Sequence, residues 1–193
     1  MSALEHKGTV TLETERLILR RFTRDDAQDM FDTWAGDEET TRYLSWGPHA
    51  SVENSRGYAE YLEGNYANPN AYDWCLVLKE TGKPVGSLGV VRINDALGEA
   101  EIGWVIGRSY WGRGLMPEAG RRVIDFLLDE VGFNRVCAVH DAQNPKSGRA
   151  MIKCGMRYEG TLRQGGLGKA GNRIDLVMYS ILKSDVRRKD ALV

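Results

Sequence analysis

Cysteine is scarce in this chain of 193 residues, and its few copies form no recognisable pattern. The three cysteines are Cys75, Cys137 and Cys154, an odd number without the spacing of a metal-binding motif. Both a disulfide scaffold and a zinc site need paired or clustered cysteines, so the pattern argues against each of them. Unpaired thiols suit a reducing compartment, and we therefore expect a cytoplasmic protein.

Long apolar runs and an excess of one charge are also absent, and each absence removes a class of partner. No apolar stretch approaches the roughly 20 residues of a membrane-crossing helix, and the polar segment Met1–Gly8 lacks the apolar core of a signal peptide. Lysine and arginine total 26 against 27 aspartate and glutamate residues, a net charge of −1. A surface so balanced gives no general electrostatic case for nucleic acid. We expect neither a membrane nor a nucleic acid as partner.

The order of apolar patterns predicts one α+β domain over residues 1–193. The chain has no internal repeat or low-complexity linker, and its 42% hydrophobic content is enough for one core. Alternating stretches predict these strands: Arg16–Arg21, Tyr72–Leu78, Val85–Ile93, Ala100–Ile106, Arg135–His140, Met156–Arg163 and Arg173–Leu182. Capping residues and amphipathic spacing predict these helices: 25–34 after Thr23, 51–66 after Ser51, 116–130 before Gly132, and 146–153.

The segment Glu101–Ala119 joins an alternating strand to a helix through a glycine-rich turn. Gly112 and Gly114 can adopt backbone angles that other residues disfavour, so successive N–H groups could point into one concavity at the helix start. Arg108 and Arg113 add positive charge to the same turn. The segment therefore predicts a phosphate-binding loop.

Spacing decides which kind of phosphate loop this is. Gly107 and Gly112 have the separation found in an NTPase loop, but Arg113 and Gly114 stand where that chemistry needs a lysine and a magnesium-binding hydroxyl. A dinucleotide-binding turn also fits badly, because its third glycine would fall at Pro117. What remains is a pyrophosphate held without a metal.

Five short motifs resemble the GNAT superfamily of acyl-CoA-dependent N-acetyltransferases, and most closely its RimJ/RimL type. They are TERLILRR at 14–21, EIGW at 101–104, WGRG at 111–114, NPKS at 144–147 and KCGM at 153–156. The resemblance covers nearly the whole chain. It implies a mostly antiparallel twisted sheet of six or seven strands, with a splayed parallel pair at the cofactor site and about four flanking helices.

The same resemblance implies acetyl-CoA as cosubstrate and no metal. In the family, the pantetheine arm pairs with backbone groups left free by the splay, and a backbone N–H, here of Val105 or Ile106, polarises the thioester carbonyl. The family's loop pattern falls on residues 111–116. The implied cofactor-binding residues are Val105, Ile106, Gly107, Arg108, Trp111, Gly112, Arg113, Gly114, Leu115, Met116, Asn144 and Ser147.

The expected chemistry is direct attack of a neutral amine on the thioester through a tetrahedral intermediate. Glu101 is the candidate base, with Glu99 as the weaker alternative, and a surface or ion-paired glutamate is the competing interpretation of Glu101. The family's thiolate-protonating tyrosine is replaced here by Met151. Ser147 is the better candidate to contact the sulfur or the pantetheine. Ser147 and Asn144 could instead only cap the helix that starts there.

The resemblance makes a protein N-terminal amine, such as that of a ribosomal protein, the leading acceptor, and a homodimer is expected on the same ground. A small-molecule amine and a non-catalytic acyl-CoA sensor stay open as alternatives. Residues 37–39 could attract a cationic amine or form a solvated loop, and the loop 164–172 could close over the acceptor. His140 and Cys154 are interpreted as structural. The aromatic residues expected in the core and the acceptor wall are Trp34, Tyr43, Trp46, Tyr58, Tyr61 and Trp74.

Overall fold

One mixed sheet organises the computed structural model, which describes residues 4–185. The strands are β1 (Leu12–Glu13), β2 (Leu17–Arg20), β3 (Asp73–Leu78), β4 (Lys83–Asn94), β5 (Glu99–Ile106), β6 (Arg135–Asp141), β7 (Arg157–Leu167) and β8 (Arg173–Leu182). Their order in the sheet is β1-β2-β3-β4-β5-β6-β8-β7, and β5 with β6 forms a parallel pair among antiparallel ones. This confirms the predicted α+β class. The two residues of β1 are too few to produce the alternation from which strands are predicted.

Helices cover both faces of this sheet. They are α1 (Ala27–Met30), α2 (Glu38–Thr41), α3 (Val52–Asn65), α4 (Leu115–Asp125) and α5 (Pro145–Lys153). The prediction of one helix over 25–34 is only partly right, because α1 lies between a 3-10 turn at Arg24–Asp26 and a π-helical turn at Phe31–Ala35. Helix α2 was expected to be loop. Asp37 caps it, with its side chain accepting a hydrogen bond from the N–H of Glu39 at 3.0 Å.

The sheet separates two hydrophobic cores, and β5 contributes to each. Ile102 belongs to the core beneath α4, whereas Val105 belongs to the core beneath α1 and α3. The amphipathic spacing of α4 is confirmed, since Ala119 and Val123 are fully buried. A π-helical turn at Phe126–Val131 continues α4, and Gly132 ends it with a φ of 97°. Strand β5 is thus packed on both faces, and the start of α4 is packed against one of them.

The parallel pair opens as predicted. Strand β5 pairs with β6 only from Glu99 opposite Arg135 to Glu101 opposite Cys137. Beyond that point β5 stays paired with β4 up to Ile106, and β6 stays paired with β8 up to Asp141. Each strand follows its antiparallel partner, so a wedge opens between residues 102–106 and 138–141.

The long glycine-rich loop predicted over 164–172 is wrong in its extent. Strand β7 runs to Leu167, so the connection to β8 covers only residues 168–172. A bulge explains the extra length of β7. Gln164 has a φ of 53° and donates its N–H to the Asp175 carboxylate at 2.7 Å, and pairing resumes at Gly166 opposite Ile174. Among residues 4–185, the helices are too short or too polar to span a membrane.

Candidate active site

A cavity of about 1030 Å³ occupies the wedge between β5 and β6 and extends away from it. Its deep part is lined by residues 101–106 of β5, the turn into α4, the end of β6 and the start of α5. Its outer part reaches α2 with the residues that follow it, and the β7–β8 turn. The wedge and the two loop regions therefore form one continuous site.

The turn into α4 offers unused hydrogen-bond donors to this cavity. Within residues 4–185, the backbone N–H groups of residues 112–116 donate no hydrogen bond, and all of these residues except Arg113 line the cavity. Gly112 and Gly114 have φ values of 76° and 78°, a region that residues with a Cβ disfavour. Consecutive free N–H groups at the start of an 11-residue helix suit the oxygens of a pyrophosphate. The predicted loop thus has hydrogen-bond donors that a pyrophosphate could use.

A network from the N-terminal segment holds this turn. Arg16 donates through Nη1 to the carbonyl oxygen of Arg113 at 2.9 Å, and its Nη2 lies 2.6 Å from the Glu118 carboxylate. Thr14 donates to the same carboxylate at 2.5 Å. Partial burial opposes ionisation of Glu118, but the hydrogen bonds from Thr14 and Arg16 prevail and lower its pKa. Sequence reasoning interpreted residues 14–21 as a strand and missed this bracing role.

Lys146, which was not among the predicted site residues, contributes a positive charge to the cavity. Lys146 lies with its Nζ 4.2 Å from the centre of the Trp111 ring, and both residues line the cavity. The Trp111 indole N–H donates to the carbonyl of Ile106 at 2.8 Å, which fixes the ring. The predicted residues Gly107, Arg108 and Arg113 do not line the cavity. Arg108 instead lies 3.3 Å from the Asp37 carboxylate, and Arg113 stacks on Tyr110.

The buried side chains at the loop leave the backbone accessible. Leu115 and Met116 are 1% and 5% exposed and pack into the core beneath α4. Their side chains point away from the turn, so the size of Met116 does not obstruct the amides. Val105 and Ile106 line the cavity as well.

Strand geometry selects one backbone N–H at the inner edge of β5. The N–H of Gly107 donates to Val85 of β4 at 2.9 Å. Directions alternate along a strand, so the N–H of Val105 also points to β4 and that of Ile106 points into the wedge. Of the two predicted oxyanion donors, Ile106 is therefore the one on the open edge.

Glu101 faces the cavity and is held by an arginine. Arg92 donates to Oε2 of Glu101 through Nε at 3.0 Å and Nη2 at 2.8 Å. Within the described chain these bonds end on one oxygen, so Oε1 has no protein donor. Glu99 is 2.6 Å from Arg135 Nε and does not line the cavity. The geometry thus favours Glu101 over Glu99 as a proton acceptor.

The start of α5 brings Asn144 and Ser147 to the cavity wall. Asn144 caps the helix, because its Oδ1 accepts a hydrogen bond from the Ser147 N–H at 3.4 Å. This leaves the amide group of Asn144 and the hydroxyl of Ser147 without a protein partner among residues 4–185. Asn144 can therefore cap the helix through Oδ1 and contact a ligand through its NH2 group, whereas the Ser147 hydroxyl takes no part in the cap and can contact a ligand.

Three other polar or sulfur groups near the wedge are buried. Met151 is 2% exposed and lies in the core. Burial raises the pKa of the Cys154 thiol to about 12, which keeps it protonated and poorly nucleophilic. His140 is 9% exposed, with Nδ1 2.7 Å from the carbonyl oxygen of Asp141. The environments of Met151 and Cys154 suit structural roles, whereas His140 lines the cavity and its buried Nε2 has no hydrogen-bond partner among residues 4–185.

The aromatic residues expected at the acceptor side fall into three groups. Trp34 and Trp74 are core residues, and Tyr43 lines the cavity. The remaining three are exposed and lie on or just before α3: Trp46, Tyr58 and Tyr61.

Two of the three acidic residues 37–39 are ion-paired within the protein. Asp37 contacts Arg108, and Glu39 lies 3.6 Å from Arg42. Neither carboxylate is thus free to attract a cationic acceptor.

Comparison with known proteins agrees with this geometry. The family profile described as the acetyltransferase (GNAT) domain matches residues 16–157. The protein p20 of Bacillus licheniformis, named an uncharacterized N-acetyltransferase, is 32% identical over 175 residues, which cover 91% of this chain and 97% of p20.

Two solved structures share the fold. One is the ribosomal-protein-S5-alanine acetyltransferase of Vibrio fischeri, with a TM-score of 0.73, 20% identity, and coverage of 91% of this chain and 98% of that one. The other is the microcin C7 self immunity acetyltransferase MccE in complex with acetyl-CoA and AMP, with a TM-score of 0.79, 20% identity, and coverage of 88% and 93%. At such identities these likenesses concern the fold alone.

Proposed function

We propose that this chain, which belongs to the GNAT acetyltransferase family and is an N-acetyltransferase, uses the α-amine of a protein N-terminus as its acceptor. The observation that carries the proposal is the shape of the cavity, which continues from the wedge past Glu101 to α2 and the β7–β8 turn. An extended chain end can enter such a groove. The RimJ/RimL-type motifs and the fold shared with a ribosomal-protein acetyltransferase support the same acceptor class.

The residues that would hold acetyl-CoA surround the wedge. The free N–H groups of residues 112–116 would bind its pyrophosphate, and the inner edge of β5 would pair with its pantetheine arm. Asn144 and Ser147 would contact that arm from α5, and the Lys146 ammonium adds a nearby positive charge. Bound there, acetyl-CoA supplies the acetyl thioester.

Glu101 would accept the proton that the amine loses on attack, directly or through water. An α-amine has a pKa near 8 and is partly neutral at pH 7, whereas a lysine amine near 10.4 is almost fully protonated. Because more of an α-amine is already neutral, it needs a weaker general base than a lysine amine does, and Glu101 is a base that is ion-paired with Arg92. The N–H of Ile106 would stabilise the negative charge developing on the acetyl oxygen, and one such donor is typically worth about 3 to 4 kcal/mol.

Ser147 is the candidate residue to contact the sulfur of the departing coenzyme A thiolate. Its hydroxyl has no protein partner within residues 4–185 and lies on the cavity wall. A Ser147→Ala variant whose kcat falls by a larger factor than its Kd for acetyl-CoA rises would support that role beyond a contact with the pantetheine arm.

Two measurements test the function. Calorimetric titration of the purified protein with acetyl-CoA and coenzyme A, against ATP and NAD, tests the loop before the acceptor is known. Mass spectrometry of peptides with free or blocked α-amines then tests the acceptor. Acetylation that disappears when the α-amine is blocked supports the proposal, and acetylation of the blocked peptide at a lysine contradicts it.

A small-molecule amine is the second candidate, because MccE combines this fold with a complex of acetyl-CoA and AMP. Turnover of small amines with no turnover of peptides would favour it. Tight binding of acetyl-CoA without any transfer would indicate a sensor instead of an enzyme.

A further inference from the structure

Asp73 is a half-buried carboxylate without a partner at the start of β3. Within residues 4–185, no side chain or backbone N–H donates to its carboxylate, and no cation lies within salt-bridge distance. Burial raises the pKa of this group to about 6. An ionised carboxylate withdrawn from water is costly unless it is paired, so its position calls for a counter-charge that the protein does not supply.

The sheet register places Asp73 on the cavity side of the sheet, two strands from Gly103, although Asp73 and Gly89 do not themselves line the cavity. Asp73 pairs with Gly89 of β4, which pairs in turn with Gly103 of β5. Paired residues point to one face of a sheet, and alternate residues of a strand share that face, so Asp73 and Glu101 are on the same side. Gly103 and Glu101 both line the cavity.

Two glycines form the floor between the carboxylates. A Cβ on Gly89 would lie 2.5 Å from Oδ1 of Asp73, so the aspartate side chain bends over this glycine toward β5. Adjacent strands are roughly 4.8 Å apart, which puts the Asp73 Cα about 10 Å from that of Gly103. Neither glycine adds a side chain of its own, and the Val91 side chain, which lines the cavity, lies 3.0 Å from the position that a Cβ on Gly103 would take.

Tyrosine side chains lie close to Asp73, and the Tyr66 hydroxyl donates to its backbone carbonyl oxygen at 2.9 Å. Burial raises the pKa of Tyr58 to about 12, and the negative charge of Asp73 contributes to the shift. Tyr58 stacks on Tyr61 with ring centres 6.4 Å apart, and His49 lies 6.2 Å from Tyr58. Tyr58 is 42% exposed, so part of its surface is open to a ligand. A carboxylate beside tyrosine rings is an environment that favours an ammonium or guanidinium group.

We propose that Asp73 binds a second cationic group of the acceptor, an ammonium or guanidinium separate from the amine being acetylated. The inference rests on the proposed function and names its substrate class. In a peptide acceptor, the cation is the side chain of a lysine or arginine close to the free N-terminus. In a small acceptor, it is the second ammonium of a diamine or polyamine.

The test compares acceptors that differ only in this charge. Peptides with a free α-amine carry Arg, Lys, citrulline, norleucine or Glu at the second or third position, and putrescine and spermidine form a separate arm. Norleucine and citrulline retain the length of lysine and arginine without their charge. We expect kcat/KM to be about tenfold or more higher for the cationic member of each pair.

Asp73→Asn should remove this preference. We expect kcat/KM for the cationic acceptors to fall to the level of their neutral counterparts, while neutral peptides and the Kd for acetyl-CoA stay unchanged. Glu60→Gln is the matched control, because it removes one negative charge from an exposed position on α3. It should leave the preference intact, and a purely structural Asp73 would not change selectivity at all.

Each remaining outcome has a definite meaning. Equal turnover of charged and neutral peptides by the unmodified protein, or a preference that survives Asp73→Asn, would overturn the inference while leaving the proposed function standing. A charge preference seen only with diamines and polyamines keeps the role of Asp73 and rejects the protein N-terminus. If no amine is acetylated, the proposed function fails and the inference fails with it.

Discussion

The carboxylate proposed to bind a cation, Asp73, lowers the stability of the folded protein when it is ionised and unpaired. Its pKa is about 6 in the folded chain, above the ordinary value of 3.8. Folding therefore disfavours the ionised form, and the protein loses stability as the pH rises from the ordinary pKa through the folded one.

Asp73→Asn should accordingly stabilise the protein at pH 8 and have no such effect near pH 3.5. A shift of about two pKa units corresponds to about 3 kcal/mol, and partial exposure reduces the expected gain to about 2 kcal/mol. Urea denaturation of both proteins at the two pH values measures it. If Asp73→Asn raises stability and abolishes the preference in kcat/KM for cationic acceptors, Asp73 has a binding role and not a structural one.

The variant Glu101→Gln tests whether Glu101 is the general base. Removing a general base typically costs about 10²- to 10⁴-fold in rate, so we expect a lower kcat and a flatter pH–rate profile with an unchanged Kd for acetyl-CoA. Glu99→Gln is the comparison, because Glu99 contacts Arg135 outside the cavity. Similar pH profiles for Glu101→Gln and the unmodified protein would remove Glu101 from the mechanism.

Gly114→Ala tests the turn that precedes α4. Its φ of 78° is unfavourable for alanine, so the variant should lose about 1 kcal/mol of stability and bind acetyl-CoA at least about tenfold more weakly. Gly57→Ala serves as the control, because Gly57 lies within α3 and an added Cβ meets nothing within 4 Å. That change should slightly stabilise the protein.

At the scale of elements, the start of α4 depends on a segment about 100 residues away in sequence. Arg16 joins the carbonyl of Arg113 to the carboxylate of Glu118. The contacts orient the turn without touching the thioester.

Arg16→Lys should therefore raise the Kd and KM for acetyl-CoA about tenfold and leave kcat nearly unchanged. A lysine keeps the charge, but its single ammonium cannot replace the guanidinium fork at two acceptors. Initial-rate kinetics with calorimetry distinguishes this from a loss of folding. A fall in kcat at saturating acetyl-CoA would contradict a purely positioning role.

Local patterns predicted β5, the loop and α4 well, since alternation, positive-φ glycines and amphipathic spacing are all encoded within a few residues. The interruption of the first helix was missed because a π-helical turn at Phe31–Ala35 leaves no such pattern. The bulge at Gln164 was missed for the same reason. The roles of Arg16 and Asp73 depend on contacts between distant segments, which no short motif contains.

At the scale of the whole molecule, the wedge explains why an otherwise regular sheet can bind a long, flexible cosubstrate. The predicted splay came from the family resemblance, because strand separation depends on how β4 and β8 hold their neighbours. A homodimer and a cytoplasmic location stay predictions. A homodimer involves a second chain, and a cellular location depends on the cell, so the structure of one chain tests neither.

The wedge should also reverse the usual pattern of amide hydrogen exchange. Central strands normally exchange most slowly, but the inner edge of β5 beyond Glu101 has no neighbouring strand. We expect deuterium to enter the amides of Trp104 and Ile106 quickly in the free protein and slowly once acetyl-CoA is bound, as mass spectrometry or NMR can measure. Equal rates in both states would argue against pairing along this edge. If the rates differ as expected, the exchange rates of individual amides in the middle of the sheet show whether acetyl-CoA is bound.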